Sequence, residues 1–191
     1  MVDEKKVLAN ILGDSILDCG CGIGRWGSLI KSLVPSKKVA GVEIDRKYLS
    51  QLRKKKSYDF LIQADVAYLP FKPESFDTVL AIEVIEHQTR KPAMSFLNYV
   101  DEVARWRVIL TTPHGFLHTT ENEEHRFEDH KSGWEPSDLE QNGYAVDEFE
   151  WHGLRWLFAM KLAKASQATL LPSARSSSTP LIQTQQGKHD Q

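Results

Sequence analysis

A glycine-rich segment is the first part of this sequence whose composition could hold a ligand. Four glycines fall within residues 20–27, directly after the apolar run 15–19. Residues 22–27 match G-x-G-x-x-G, the pattern of dinucleotide-binding loops. Glycines let a backbone turn sharply and approach a ligand closely. We therefore predict a cofactor loop between a strand and a helix, the alternative being a turn that only packs the helix on the strand.

Asp18, at the end of that apolar run, helps to choose the cofactor. A carboxylate pointing into the loop would repel a pyrophosphate, which binds the free N–H groups of a helix N-terminus. It would favour a ligand that carries positive charge. S-adenosylmethionine has an ammonium, a sulfonium and no phosphate, so electrostatics favours it over the cofactor of an NAD-dependent oxidoreductase.

Two further acids end predicted strands, Glu43 after 38–42 and Asp65 after 59–64. Either one alone could be a helix cap. Because the carboxyl ends of parallel strands meet at one edge of a sheet, these acids and Asp18 are expected to cluster around the glycine loop. Such a cluster favours a cofactor pocket.

Acids and histidines later in the chain could act on the group that receives a methyl. Glu83, Glu86 and His87 follow a fourth predicted strand. The loop 113–135 contains His114, His118, His125 and His130, and we predict that it covers the substrate. Trp134 in this loop could stack on the acceptor or pack the loop down. Proton removal from an oxygen or nitrogen acceptor needs a base or a metal.

Strands and helices alternate at short intervals, and strands two to five are mostly continuous apolar runs. This pattern is typical of a parallel sheet covered by helices on both faces, an α/β doubly wound fold. We predict strands at 15–20, 38–43, 59–65, 77–83 and 107–112, with a C-terminal antiparallel hairpin at 144–151 and 154–162. The result is a mostly parallel seven-stranded sheet. Helices are predicted at 2–12, 25–34, 46–56, 91–102 and 135–142.

Five segments, in order, resemble the motifs of class I S-adenosylmethionine-dependent methyltransferases, of the small single-domain, type 11-like kind. They are 16–27 (D-x-G-x-G-x-G), 41–45, 63–71, 76–87 and 108–115, with Gln63 and Glu43 departing slightly from the usual residues. The resemblance implies a Rossmann-like methyltransferase fold and a cofactor site formed by Asp18, Gly20, Cys21, Gly22, Gly24, Glu43, Ile44, Asp65, Val66 and Glu83.

The run 83–87 with His130 is similar to the metal site of small-RNA 3′-terminal 2′-O-methyltransferases, and to the Glu-His run of ubiquinone-pathway O-methyltransferases. This resemblance implies that Glu83, Glu86, His87 and His130 hold a divalent Mg, Mn or Zn ion. The alternatives are a metal-free site, with His87, His130 and Glu83 as the catalytic residues, or a purely structural role.

Composition limits the function classes. The 191 residues carry 24 Lys and Arg against 26 Asp and Glu, a net charge of −2, so no strong field favours nucleic acid or a membrane surface. Two cysteines, no ~20-residue apolar span and no secretory signal favour a cytoplasmic protein. We expect a methyltransferase domain at 1–164 and a disordered Ser- and Gln-rich tail at 165–191.

The leading hypothesis is methyl transfer to a small-molecule acceptor, most plausibly at oxygen. A metal-assisted RNA 2′-O-methyltransferase, an NAD-dependent oxidoreductase and a non-catalytic cofactor-binding subunit are the alternatives. Nucleic acid is the less favoured partner, and no membrane partner is expected.

Overall fold

The computed structural model describes residues 4–119 and 127–163. Its helices are α1 (Glu4–Ala9), α2 (Arg25–Leu33), α3 (Arg46–Lys55), α4 (Arg90–Val103) and α5 (Pro136–Glu140). Its strands are β1 (Ser15–Cys19), β2 (Lys38–Glu43), β3 (Phe60–Gln63), β4 (Phe76–Ile82), β5 (Ala104–Pro113), β6 (Ala145–Trp151) and β7 (Leu154–Leu162). Short 3₁₀ turns lie at Val66–Tyr68 and Ile85–His87.

The seven strands form one sheet in the order β3-β2-β1-β4-β5-β7-β6. Strands β1 to β5 run parallel, whereas β7 is antiparallel to both β5 and β6. The chain order reverses between β1 and β4, where Asp18 pairs with Gly41 on one side and with Leu80 on the other. In open α/β sheets, ligands bind at the carboxyl ends of the strands beside this reversal.

Alternate residues of the central strands pack against opposite layers of helices. Ile16 contributes to a core with α1, α2 and α3, whereas the next residue, Leu17, contributes to a core with α4. Both side chains are completely buried. Burial of such a side chain contributes about 1.5–3 kcal/mol, so the sheet is held between two apolar layers.

Local sequence signals explain where α3 begins and ends. The Asp45 carboxylate accepts the backbone N–H of Lys47 at 2.7 Å and caps the first turn. The last turn carries Arg53, Lys54 and Lys55, whose charges complement the negative end of the helix dipole. The helix therefore starts immediately after β2 and directs Asp45 and Tyr48 towards the carboxyl edge of the sheet.

The α/β doubly wound fold with its antiparallel C-terminal hairpin is confirmed. The predicted strand 59–65 is shorter in the structure, where pairing with β2 ends at Gln63. The predicted strand 107–112 is longer, because Ala104 pairs with β4 and Pro113 with β7. The first helix ends at Ala9 instead of residue 12. His125 and the predicted tail 165–191 lie outside the described residues. No helix in the described ranges is both long and apolar enough for a membrane crossing.

Candidate active site

A cavity of about 600 Å³ lies at the carboxyl edge of the sheet, beside the reversal between β1 and β4. It is lined by the glycine loop, the ends of β2 and β4, the turn 65–68 and the first turns of α3 and α4. Phe127, Glu128 and Lys131 complete the lining, and His130 is not part of it. The lining residues include Gly20, Gly22, Glu43, Ile44, Asp65, Val66, Glu83, His87, Gln88 and Lys131.

The glycine loop is tightly folded over the end of β2. The Cys21 N–H donates to the Val42 carbonyl at 2.9 Å, and Gly22, with φ of 48°, borders the cavity. A Cβ on Gly22 would meet no atom within 4 Å, so its bare backbone leaves room for a ligand. A Cβ on Gly24 would lie 2.2 Å from the Leu52 side chain, so that glycine permits close packing of the loop against α3.

Glu43 supports the loop and faces the cavity at the same time. One carboxylate oxygen accepts the Gly22 N–H at 2.8 Å, and the other accepts the Asp45 N–H at 2.8 Å. The side chain is thus fixed at the end of β2 by two backbone donors. Each oxygen keeps further acceptor capacity, so the carboxylate can also receive hydroxyl donors from a ligand.

Asp65 lies across the cavity from the glycine loop. Its carboxylate caps the 3₁₀ turn that follows β3 by accepting the Ala67 N–H at 2.9 Å, and the residue is exposed at the cavity wall. Ile44 and Val66 supply apolar lining on the same side. The structure thus brings Glu43 and Asp65 together around one cavity, as the strand ends predicted.

Asp18 differs from the expectation that it points into the loop. It is 1% exposed, lies beneath the loop and is not part of the cavity lining; Cys21 and Gly24 are also absent from that lining. Its carboxylate accepts the Tyr58 hydroxyl at 2.6 Å. Burial raises the pKa of Asp18 to about 7, and the nearby Glu43 raises it further, whereas the Tyr58 hydrogen bond opposes the rise. Direct cofactor contact by Asp18, Cys21 and Gly24 stays a prediction.

The turn after β4 forms the other half of the cavity wall. Glu83 has φ of 58°, a left-handed conformation that is rare for residues other than glycine, and its N–H donates to the Thr111 carbonyl at 3.0 Å. Partial enclosure raises the pKa of the Glu83 carboxyl. The constrained backbone directs Glu83 into the cavity.

His87 also lines the cavity, and its ring nitrogen Nδ1 lies 3.3 Å from the Asp129 carbonyl oxygen. Because a carbonyl only accepts, this contact assigns the hydrogen to Nδ1 and leaves a lone pair on Nε2. His130 is arranged in the same way, with Nδ1 2.8 Å from the Leu117 carbonyl oxygen. Burial lowers the pKa of both rings, so both are neutral at pH 7.

Three of the four residues expected at a metal site are clustered. Glu86, His87 and His130 offer ligand atoms that all lie within 4.8 Å of one another, but Glu83 is outside this group. The four-residue metal set therefore stays a prediction, of which three members are clustered.

Glu86 is the unusual member of the cluster. It is 1% exposed, and neither carboxylate oxygen has a hydrogen-bond partner among the described residues. Burial raises its pKa to about 8. Unpaired buried oxygens beside two imidazole lone pairs fit a divalent cation, although the three ligands would have to move closer together to bind one.

The segment 127–134 closes over the turn after β4. The N–H groups of Lys131 and Ser132 donate to the Glu86 carbonyl at 2.7 and 3.1 Å. Trp134 is completely buried and donates from Nε1 to the Ser132 hydroxyl at 3.0 Å, so it packs the segment down and does not offer a face to an acceptor. This result decides between the two roles considered for Trp134.

The remaining described histidines of the loop lie away from the cavity lining. His114 lies between two carboxylates, at 2.9 Å from Glu148 and 2.8 Å from Glu135, and ties the loop to β6. His118 is exposed and packs edge-on against Phe116. The histidine-rich loop therefore contributes one described histidine, His130, to the cluster beside the cavity.

The charge of the cavity is strongly one-sided. Among the described lining residues, one is a lysine, Lys131, and five are acidic: Glu43, Asp45, Asp65, Glu83 and Glu128. A site with this excess of carboxylates attracts cations and repels phosphates. The cavity volume falls in the range of about 300–1,000 Å³ that is typical of small-molecule sites.

A protein-family model described as a methyltransferase domain matches residues 16–106. Among curated proteins, the chain is similar to the malonyl-[acyl-carrier protein] O-methyltransferase of Legionella pneumophila, with 33% identity over 85 residues, which are 43% of this chain and 30% of that protein. The chain spans about a third or less of the length of the curated relatives it matches.

Solved structures of low sequence identity share the fold. The PH0226 protein of Pyrococcus horikoshii has a TM-score of 0.64 at 18% identity, over 83% of this chain and 87% of that one. Magnesium protoporphyrin IX methyltransferase of Synechocystis with bound SAH, the demethylated product S-adenosylhomocysteine, has a TM-score of 0.60 at 18% identity, over 83% and 78%.

Proposed function

We propose that this chain is a class I S-adenosylmethionine-dependent methyltransferase and that it transfers a methyl group to an oxygen of a small-molecule acceptor. The observation that carries the proposal is the cavity with five acidic lining residues and one lysine around a glycine loop. That charge suits a donor with an ammonium and a sulfonium. It opposes a pyrophosphate, and so argues against an NAD-dependent oxidoreductase.

The cofactor contacts follow from the positions of the acids. Glu43 is held at the end of β2 and can accept from ribose hydroxyls, and Asp65 can accept from the adenine amino group. Gly20 and Gly22 leave the backbone open beside them, with Ile44 and Val66 as apolar walls. Glu83 lies where it can face the positively charged end of the donor.

The acceptor oxygen would meet His87. With the hydrogen on Nδ1, Nε2 carries a lone pair, and the lowered pKa keeps the ring neutral so that it can take a proton. In the reaction, an oxygen lone pair forms the new C–O bond while the methyl–sulfur bond breaks and its electron pair stays on sulfur. The hydroxyl proton passes to His87. Alignment of the oxygen with the methyl supplies much of the rate enhancement.

A thermal-shift comparison tests the cofactor assignment. We expect S-adenosylmethionine and S-adenosylhomocysteine to raise the melting temperature, and NAD to leave it unchanged, because ligand binding to the folded state stabilises it. Stabilisation by NAD alone would refute the proposal. Methyl release over a panel of alcohol, phenol, carboxylic acid and amine acceptors then tests the choice of oxygen.

A metal-assisted reaction is the second candidate, and the unpaired Glu86 carboxyl beside His87 and His130 favours it. These three residues would hold the ion, and a bound divalent metal lowers the pKa of an acceptor hydroxyl. Such a mechanism would extend to the 2′-hydroxyl of RNA. Loss of turnover with a chelator and its return with Mn²⁺ or Mg²⁺ would support the metal, whereas chelator-resistant turnover would exclude it.

The RNA acceptor is tested separately. Binding to RNA through phosphates weakens steeply as salt rises. The overall charge of −2 and the acidic cavity give such binding little support. RNA affinity that falls steeply between about 50 and 200 mM salt would favour it, and salt-independent or undetectable affinity would favour the small-molecule acceptor.

A further inference from the structure

Tyr58 joins three separate parts of the chain beneath the glycine loop. It lies between α3 and β3 and is 9% exposed. Its hydroxyl donates to the Asp18 carboxylate at 2.6 Å and accepts the Gly27 N–H at 3.1 Å. The resulting chain of hydrogen bonds runs from the first turn of α2 through the phenol to the end of β1. Nothing in the local sequence around Tyr58 indicates this role.

The hydroxyl replaces a missing helix cap. Gly24 stands at the N-cap of α2, where Ser, Thr, Asp or Asn usually accepts an N–H of the first turn. Gly24 has φ of 82°, and a Cβ there would lie 2.2 Å from the Leu52 side chain, so no capping side chain fits at that position. Gly27 is the third residue of the helix, and its N–H donates to the Tyr58 hydroxyl oxygen instead.

The ring of Tyr58 fills space that two glycines leave open. A Cβ on Gly27 of α2 would lie 2.2 Å from the Tyr58 ring, and one on Gly41 of β2 would lie 2.9 Å from it. The ring is therefore held between α2 and β2, which fixes the hydroxyl under the loop. The same loop carries Gly22, whose N–H binds Glu43 at the cavity wall.

We propose that Tyr58 is a positioning residue for the methyl donor: its hydroxyl, through Asp18 and the Gly27 amide, holds the glycine loop and the start of α2 in the geometry that receives the cofactor. This inference rests on the proposed function, because it concerns the same cavity. Tyr58 does not line that cavity, so it acts through the loop and not by touching the ligand.

Calorimetric titration with S-adenosylhomocysteine tests the proposal on Tyr58→Phe, which keeps the ring and removes the hydroxyl. We expect the affinity to fall about tenfold, since the Gly27 amide and the Asp18 carboxylate lose their buried partner. Tyr144→Phe is the matched control, because Tyr144 is 4% exposed and its hydroxyl has no hydrogen-bond partner among the described residues. Its affinity should stay within about twofold of wild type.

Asp18→Leu, which is branched at the same carbon as Asp and has no acceptor, breaks the same bond from the other side. If Tyr58 acts through Asp18, the double variant binds about as weakly as the weaker single variant, because both changes disrupt one unit. Losses that multiply in the double variant would overturn the proposal. If one single variant does not fold, the other carries the test, and wild-type affinity in it overturns the proposal.

Failure of the Tyr58 inference and failure of the proposed function would give different results. Tyr58→Phe and Tyr144→Phe with equal, wild-type affinity would refute the role of Tyr58 and leave the proposed function intact. Wild type and Tyr144→Phe that both fail to bind S-adenosylhomocysteine would refute the proposed function, and this inference with it. A fall in melting temperature for Tyr58→Phe with unchanged affinity would assign the hydroxyl to stability alone and also overturn the proposal.

Discussion

The two halves of the cavity differ in how their polar groups are satisfied. On the cofactor side, Glu43 holds two backbone N–H groups and Asp65 holds one. Beside the turn after β4, Glu86, Gln88 and Thr112 have buried polar atoms without partners among the described residues, and of these three Gln88 lines the cavity. An unsatisfied buried polar group costs about 1–3 kcal/mol. The acids of the cofactor side are therefore held by backbone donors, whereas the polar groups beside the turn after β4 are not.

Backbone conformation distinguishes the glycine loop from the turn after β4. The positive φ angles of the loop belong to glycines, such as Gly20 and Gly22. Glu83, in the turn after β4, adopts a positive φ with a full side chain. Such a residue costs about 1–3 kcal/mol and persists where its surroundings hold it in place. Three other described residues share this feature and do not line the cavity: Lys56, Glu74 and His152.

The largest expected effect is on the acceptor side. His87→Ala should reduce turnover about 1,000-fold while the affinity for S-adenosylhomocysteine stays within about twofold, because the base is lost and the cofactor contacts are kept. His118→Ala removes an exposed histidine away from the cavity lining and should leave turnover unchanged. Steady-state kinetics and calorimetry measure the two quantities. If cofactor affinity fell together with turnover, His87 would contact the cofactor and would not act only as the base.

The next effect concerns Asp18, which is enclosed beneath the loop. Burial raises its pKa from 3.8 to about 7. The stabilisation associated with the protonated carboxyl is fully present below about pH 4 and is lost as the pH rises to about 7. Between pH 5 and pH 8, wild type should lose about 3 kcal/mol more unfolding free energy than Asp18→Asn, as measured by urea denaturation. If the unfolding free energies of wild type and Asp18→Asn changed equally with pH, this result would contradict the enclosure of Asp18.

Glu43→Ala should weaken S-adenosylhomocysteine binding about 30-fold, because the ligand loses a charged acceptor and the loop loses its tie to Gly22. The control is Glu140→Ala, since Glu140 is exposed on α5 and does not line the cavity. Calorimetry measures both variants. Equal affinities in the two would mean that the cofactor half does not depend on Glu43.

The smallest effect is expected at the contact between the cofactor side of the cavity and segment 127–134. The Tyr48 hydroxyl of α3 donates to the Glu128 carboxylate and so links the cofactor side to segment 127–134 across the cavity. Exposed hydrogen bonds contribute little, so Tyr48→Phe should speed cofactor release only about twofold, measured by stopped-flow. A change above about tenfold would show that this contact controls entry to the cavity.

Much of the fold was predictable because the central strands are continuous apolar runs bounded by glycines, acids or proline. The strand 38–43 was predicted with the bounds that the structure shows. Sequence pattern was weaker for β3, whose exposed edge carries Phe60, and for β5, which extends because β4 pairs with its start and β7 with its end. Pairing with distant strands contributes no signal to a local pattern.

The sequence predicted which residues lie at the candidate site better than it predicted their arrangement in space. Glu43, Asp65, Glu83 and His87 all reach the cavity, as the strand ends predicted. Glu83 lies outside the cluster of Glu86, His87 and His130, and closeness along the chain does not determine the direction of a side chain.

The order of apolar runs, glycines and acids along the chain was sufficient to predict a doubly wound sheet and a ligand at the carboxyl ends of its strands, because strand direction and helix crossover follow from local pattern. Tertiary packing alone buried Asp18 beneath the glycine loop and placed the Tyr58 hydroxyl against it. Those two residues are 40 positions apart, and their contact depends on how three elements pack together.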